Sequence, residues 1–445
     1  MADLTNDLFK IDDNLEIVNL ETEQYQQAFL LSEQINNQLR QWQVYFQCLT
    51  LFAFEEWLYQ REPSLTFDKE KSSTLEYQFA NVIDAVCNLE IGNFKVCLIP
   101  SILLTNEEVA IPRAVIDLPE YTAHFYIVIG VDEELEIAAI KGFLRYDQLV
   151  NIKVELQPEA DWNYYIPLVR FNQEVDEILL YLQCLAPTAI PLPEIPTSRG
   201  DILRRVQTAL LNLLPQLHNR PLWEVLTWEQ GTAVLTTPLL IDWLYQSINQ
   251  NAATQNTATL TRHLSDLLQI LTQQAVNVGQ WLVDRVDDAV QTLSWELIPV
   301  ASELRSTSSV IQSNESNLVE ELEIILHDIQ DNNQLDIPPT AVRAYLDIRL
   351  NKLLRLYALI WSLPEEEDGW TLLLVLKAIN DNQSASRFTL RVSDQAEILD
   401  EEELITSNNN YIYTQVEGSY DDKFLATIIS ETGETQVFRP FEFAR

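Results

Sequence analysis

The side chains able to do acid–base, nucleophilic or metal chemistry are unevenly supplied in this chain: 67 carboxylates stand beside four histidines and four cysteines. A catalytic triad needs a nucleophile, a base and an orienting acid brought together in space. The nearest approach in sequence is Arg262-His263-Leu264-Ser265-Asp266, whose neighbours share a helix and do not make a triad by adjacency. His124 lies in an apolar run and reads as a hydrogen-bonded sheet histidine, while His327 and Asp328 fall on the solvated face of an amphipathic helix. His218 has no chemical partner nearby in sequence. Zinc would require Cys and His at matched short spacings, and the chain has none. Two acidic runs, Glu365-Glu366-Glu367-Asp368 and Asp400-Glu401-Glu402-Glu403, lack the alternating ligand pattern of a calcium loop. They read as solvated surface, the first in a turn and the second at a strand edge or loop, where charge resists aggregation. Phosphate-cradling glycine loops, nucleophile elbows and zinc-protease spacings are missing. No metal and no cofactor are expected, and the catalytic residues stay unknown. For a hydrolase site assembled from scattered residues, at a cleft between the first two domains, the candidates are His124, Cys97 and Asp161.

The carboxylates matter more as a field. With 28 basic residues the formal charge is −39, on a chain that is 47% hydrophobic. That much apolar content marks a folded protein, since disorder needs low hydrophobicity as well as high charge. The acid excess opposes binding to nucleic acid or to an anionic membrane face. It favours a basic protein partner, steered over about one Debye length, roughly 8 Å at physiological salt. Asp3 and Asp7 interrupt the first ten residues, and no stretch reaches the roughly 20 apolar residues of a membrane span, so a cytoplasmic protein is expected. Cys48, Cys87, Cys97 and Cys184 form no C-x-x-C pair and are expected reduced and buried. A two-residue turn at Gly92-Asn93 pairs Ile91 with Phe94. Continued without a break, that register sets Cys97 opposite Asn88 and Cys87 opposite Leu98, with the two thiols on opposite faces.

The elements that must position these groups change character along the chain. Residues 22–60 repeat apolar positions at three and four (Tyr25, Phe29, Ile35, Trp42, Phe46, Leu49, Phe52), one stripe of a long helix. Hairpins follow around Gly92-Asn93 and around the acidic tip Asp132-Glu133-Glu134; Asp161–Arg170 reads as an irregular closing segment and Val175–Cys184 as a short helix. Pro187, Pro191, Pro193 and Pro196 then interrupt both helix and ladder. Beyond them the pattern is helical, with Asp201 as a cap and a further helix over Gly279–Leu297. From Val342 the period becomes two, predicting half-buried strands. The fold class expected is multidomain α+β: an α+β domain over 1–186, a proline-rich linker over 187–199, a helical bundle over 200–336 and an antiparallel β-sandwich over 337–445.

Several strings resemble an uncharacterised cyanobacterial family, domain-of-unknown-function family 1822. They are VYFQCL at Val44–Leu49, the stretch Asn81–Pro100, and Ile127–Leu144 ending in GFL. Further along come VGQWL at Val278–Leu282 followed by Gln291-Thr292-Leu293, RVSDQ at Arg391–Gln395, YTQVE at Tyr413–Glu417, and Asp422–Phe424. The resemblance brings no catalytic or binding residue with it; it implies a regulatory role. Gly279, Trp281 and the sandwich surface are the parts to watch, with Trp281 reading first as core. The function expected is a non-catalytic acidic interaction or adaptor protein of cyanobacterial signalling or transcription control. The alternatives are the hydrolase above and an acidic mimic masking a basic nucleic-acid-binding surface.

Overall fold

The computed structural model describes residues 16–444 except 103, 105, 218–219, 250–256, 284–294, 299–311, 334, 364–368, 380–384 and 408–409. His218, the run Glu365–Asp368 and Gln291-Thr292-Leu293 therefore lie outside the described residues. The chain is mixed α+β with a strand-rich C-terminal region, and it divides into two compact units, residues 1–255 and 256–445. Among the described residues no helix is long and apolar enough to cross a membrane.

In the first unit β1 (Glu16–Asn19) precedes α1 (Thr22–Ser32) and α2 (Gln38–Arg61). The single helix expected over residues 22–60 is thus two. Ser32 Oγ donates to the Phe29 carbonyl at 2.8 Å and the chain turns through Asn36-Asn37, whose side chains compete with helical backbone bonds. Nor does one stripe face the core: Phe29 and Trp42 are 55% and 51% exposed, whereas every residue from Val44 to Phe54 is buried. A helix surrounded on all sides must satisfy its polar residues internally. Gln47 does so, donating to the Ile83 carbonyl at 3.0 Å and accepting from Thr74 Oγ1 at 3.2 Å.

After α3 (Tyr77–Ala80) come β2 (Val86–Ile91), β3 (Phe94–Ser101), β4 (Glu108–Pro112), α4 (Arg113–Asp117), β5 (Phe125–Asp132) and β6 (Ile137–Arg145). The sheet order is β1-β6-β5-β3-β2, with β3 and β5 parallel and the other neighbours antiparallel. Helix α2 packs on it, with Val44, Cys48 and Leu51 in one cluster with Val96, Leu98, Phe125 and Ile127. Gly92 takes φ +59 while Asn93 does not turn positive, as a glycine-first II′ turn requires, and Ile91 faces Phe94 as expected. The register then slips. Asn88 adopts φ 63 and forms a bulge, so Val86 rather than Cys87 pairs with Leu98. All four cysteines are free, but Cys184 is exposed, contrary to expectation.

Helix α5 (Tyr146–Lys153) leads to β7 (Asn163–Pro167), which pairs antiparallel with β4; the segment expected to be irregular is therefore a strand. After α6 (Asp176–Cys184) the proline-rich stretch contributes one 3-10 turn, Pro187–Ala189. Then follow α7 (Arg199–Leu213), α8 (Leu222–Val225), α9 (Trp228–Leu235) and α10 (Pro238–Asn249). Helix α7 begins at Arg199 after Ser198, so Asp201 sits in the first turn, favouring the helix dipole rather than capping it. These helices belong to the first unit and are tied to its α+β part. Arg199 forks onto Glu120 at 2.8 and 2.9 Å, and the Tyr121 hydroxyl donates to the Leu235 carbonyl.

The second unit contains α11 (Thr257–Thr272), β8 (Val276–Asn277), β9 (Glu296–Ile298) and α12 (Gln312–Asn333). Its strands continue with β10 (Val342–Arg349), β11 (Leu353–Ser362), β12 (Gly369–Ala378), β13 (Arg387–Ser393) and β14 (Ile398–Ile405). The last four are β15 (Tyr411–Ser419), β16 (Lys423–Ser430), β17 (Thr435–Val437) and β18 (Phe441–Glu442). The helix expected over Gly279–Leu297 is not continuous: Val278–Val283 is 3-10 and Glu296–Ile298 is strand. One antiparallel sheet runs β15-β12-β11-β10-β9; the other runs β14-β13-β16-β18-β8 with β17 on β16, antiparallel except where β18 meets β8 in parallel. They share a core in which Leu354, Leu356 and Ile360 meet Phe388, Leu390 and Phe424. The alternate residues of β11, Tyr357, Leu359 and Trp361, are also buried, because α12 covers that face with Leu322, Ile325 and Ile329. Strand β11 is therefore buried on both faces rather than half-buried, which explains why it is so rich in leucine.

Candidate interaction surface

The residues proposed for a hydrolytic site do not converge. Cys97 is fully buried in β3, where burial holds its thiol well above the usual range. His124 stands just before β5 and is locked to β3, its Nδ1 accepting from the Lys95 backbone N–H and its backbone N–H donating to the Lys95 carbonyl, both at 2.8 Å. Burial lowers its pKa, favouring the neutral ring. Asp161 accepts from Asn163 Nδ2 at 2.9 Å and from the Tyr165 hydroxyl at 2.8 Å. Burial alone would raise its pKa, but these bonds outweigh it and hold the carboxyl below its ordinary value. Among the described residues no hydrogen bond joins any two of the three.

The string around His263 assembles differently. Asp266 faces the sheet from α11, accepts from Arg391 Nη2 at 2.9 Å and from Ser393 Oγ at 2.7 Å, and has Arg391 Nε in ion-pair contact at 2.8 Å. His263 turns instead toward the Asp394 carbonyl at 3.4 Å, and burial lowers its pKa. This is a buried ion pair holding a helix to a sheet. His327 is exposed beside Asp331, as a solvated helix face requires. Trp281 is buried against Trp295, their rings 5.7 Å apart. At Gly279 a Cβ would lie 2.7 Å from the Ala444 carbonyl oxygen, so the VGQWL string makes a packing site in which the C-terminal strand end crosses a glycine. Among the described residues no group of three or more His, Cys, Asp or Glu side chains could hold a metal ion.

Each unit also has a concave surface among the described residues. In the second unit, β14 and β15 are each the last strand of their sheet. A groove of about 640 Å³ beside them is lined by Asp400 and Glu402 of β14, Tyr411 and Tyr413 of β15, and Asp328 of α12. Asp400–Glu403 thus lies on an edge strand, one of the two places expected for it; its four consecutive acids carry no hydrophobic alternation that would mark a strand. The Tyr411 hydroxyl donates to Asp328, and burial together with that carboxylate raises its pKa. A neighbouring hollow of about 580 Å³ continues along α12 past Glu320, Glu321 and Asp331. No basic side chain lines the groove itself.

In the first unit a half-open cleft of about 520 Å³ is walled by four tryptophans, Trp42, Trp162, Trp223 and Trp228. Trp162 takes φ +61, a conformation held by the Asp161 hydrogen bonds and by Arg113 N–H donating to its carbonyl at 2.8 Å. Its ring meets Trp228 edge-on at 5.1 Å, and the Arg113 guanidinium covers Trp228 at 4.1 Å. Gly231 in α9 makes room for it: a Cβ there would stand 2.2 Å from Trp162 Cη2. Gly231→Ala sets a helix-propensity gain of about 1 kcal/mol against overpacking of about 1–3 kcal/mol. A rigid ring wedged between two neighbours yields little, so overpacking should win by up to about 2 kcal/mol. Thermal unfolding reads the sign, and a raised Tm would mean that Trp162 swings aside freely.

Fold and surfaces together define a two-unit α+β protein with an acidic groove in one unit and a tryptophan cleft in the other. The family described as protein of unknown function (DUF1822) matches residues 18–439, and the chain belongs to it. No curated protein matches the chain.

Proposed function

We propose that the protein is a non-catalytic interaction protein that docks a basic segment of a protein partner in the acidic groove beside β14 and β15, and that it serves regulation in cyanobacterial signalling or transcription control. The observation carrying this reading is the pairing of carboxylates with tyrosines at two adjoining sheet edges. Asp328, Asp400 and Glu402 suit Lys or Arg through charge-assisted hydrogen bonds, and Tyr411 and Tyr413 offer ring faces to the same cations. Edge strands also leave backbone groups free to pair with an extended peptide. The charge of −39 supplies long-range steering, while the groove supplies the address.

Overall acidity would hold any basic peptide weakly, so the test must separate field from groove. A fluorescein-labelled Arg/Lys-rich peptide is titrated by anisotropy against the wild type, Asp400→Asn/Glu402→Gln, and a control, Glu174→Gln/Glu194→Gln, that removes two exposed carboxylates from the first unit. The groove variant should bind about tenfold more weakly and the control within about twofold, with steep loss of all binding at high salt. Equal affinities for both variants would show that only the overall field is felt and would end the docking proposal.

A further inference from the structure

The tryptophan cleft of the first unit has a different chemistry from the acidic groove. Among the described residues its charged side chains are already matched. Arg40 is paired with Asp84 and also donates to the Ala80 carbonyl at 2.6 Å. Arg220 is paired with Glu224 at 3.2 Å, and Asp161 is held by Asn163 and Tyr165. An ionic ligand would have to break one of these pairs and leave a partner uncompensated. The rest of the wall is mainly indole and aliphatic surface, with the side-chain amides of Asn37, Gln43, Asn81 and Asn163 among it. A ligand must therefore be mostly apolar, and flat if it is to lie against the rings.

One polar need is left open. No hydrogen bond from the indole N–H of Trp42, Trp162, Trp223 or Trp228 is made to the protein among the described residues. These indole donors and the amide N–H groups of the wall suit a ligand that carries an acceptor. The volume, about 520 Å³, falls in the range of cavities that enclose a small organic molecule.

We propose that this cleft is a binding site for an uncharged, flat aromatic molecule bearing a carbonyl or similar acceptor, taken between the tryptophans with its acceptor toward the side-chain amides that line the wall. The site is separate from the acidic groove and serves a ligand of opposite character: neutral where the groove wants cations, apolar where the groove is wet. Trp42 and Trp223, 51% and 40% exposed, stand at the mouth and close over the ligand's faces.

Nile red, a neutral planar dye with a ring carbonyl, is the probe, and its fluorescence is titrated against the full chain. One dye should bind per chain. Trp42→Ala/Trp223→Ala should weaken binding about tenfold, because large aromatic anchors dominate such sites. Both residues are half-exposed, and far-UV circular dichroism checks that the variant stays folded. A control that trims two exposed apolar residues elsewhere in the unit, Leu30→Ala/Val169→Ala, should change affinity less than about twofold, as surface hydrophobes contribute singly. Anionic anilinonaphthalene sulfonate should bind about tenfold more weakly than Nile red, for the charge-pair reason above. Unchanged Nile red affinity in the tryptophan variant would overturn the proposal. So would tryptophan-dependent binding of the sulfonate as tight as that of Nile red, which would assign the cleft to anions instead.

Discussion

Asp266→Ala should loosen the second unit by about 3–5 kcal/mol, the cost of leaving a buried charge without its partner. Asp266 and Arg391 have side chains 3% and 6% exposed, and Ser393 Oγ depends on the same carboxylate. Removing the acid strands a guanidinium and a hydroxyl at once. Glu401 stands 3.6 Å from Arg391 Nη1 and will recover part of the loss, which puts the expected value toward the lower end. The measurement is amide exchange by mass spectrometry on peptides covering β13 and α11, because two units make a single global unfolding energy ill-defined. Exchange protection should fall there first. Asp266→Leu/Arg391→Met separates a need for charge from a need for filling: an apolar pair of similar volume should regain most of the stability. If the single variant exchanges like the wild type, the pair contributes nothing and α11 is held by its apolar face alone.

That pair also marks where sequence reading stopped. Arg391 and Asp266 lie 125 positions apart, and nothing local in Arg262–Asp266 says that the acid turns to a strand rather than to its neighbouring histidine. The tryptophan cleft is scattered in the same way, over positions 42, 162, 223 and 228. Features written in local periodicity were legible: the Gly92-Asn93 turn, the hairpin around Asp132–Glu134, and the alternation from Val342 onward. Features decided by what packs on top were not. Trp42 and Phe29 fit a helical stripe yet face outward, because α2 is enclosed from Val44 onward and the chain breaks at Asn36-Asn37. Strand β7 has no long alternation to announce it, since it pairs only with β4. The Asn88 bulge needs a left-handed residue, which asparagine tolerates better than most, and that is the one local hint available for it. The acidic run at Asp400 was legible as charge at a strand edge or loop; the two tyrosines beside it, on a strand of the other sheet, were not.

Trp370→Ala should be as damaging as the loss of Asp266, at about 3–5 kcal/mol, through a cavity rather than a charge. Trp370 opens β12 and is fully buried between the two sheets. Its ring lies 5.0 Å from Phe424 and 5.7 Å from Phe443, so it joins the five-stranded sheet to both β16 and the C-terminal segment. Its indole N–H donates to the Ser419 carbonyl at 2.8 Å, tying β12 to the end of β15. Alanine removes the volume, the aromatic contacts and the donor together. Trp370→Phe keeps a ring in the gap and should cost clearly less, even though the Ser419 carbonyl loses its donor. The ordering Ala worse than Phe, read by amide exchange in β12 and β16, tests whether packing or the hydrogen bond dominates. Equal losses would put the energy in the Ser419 bond. This core also sets the frame for the groove, because β12 pairs with β15 along its full length and so positions Tyr411 and Tyr413. A basic peptide should therefore bind Trp370→Ala more weakly than it binds Trp370→Phe, although neither substitution touches a groove residue.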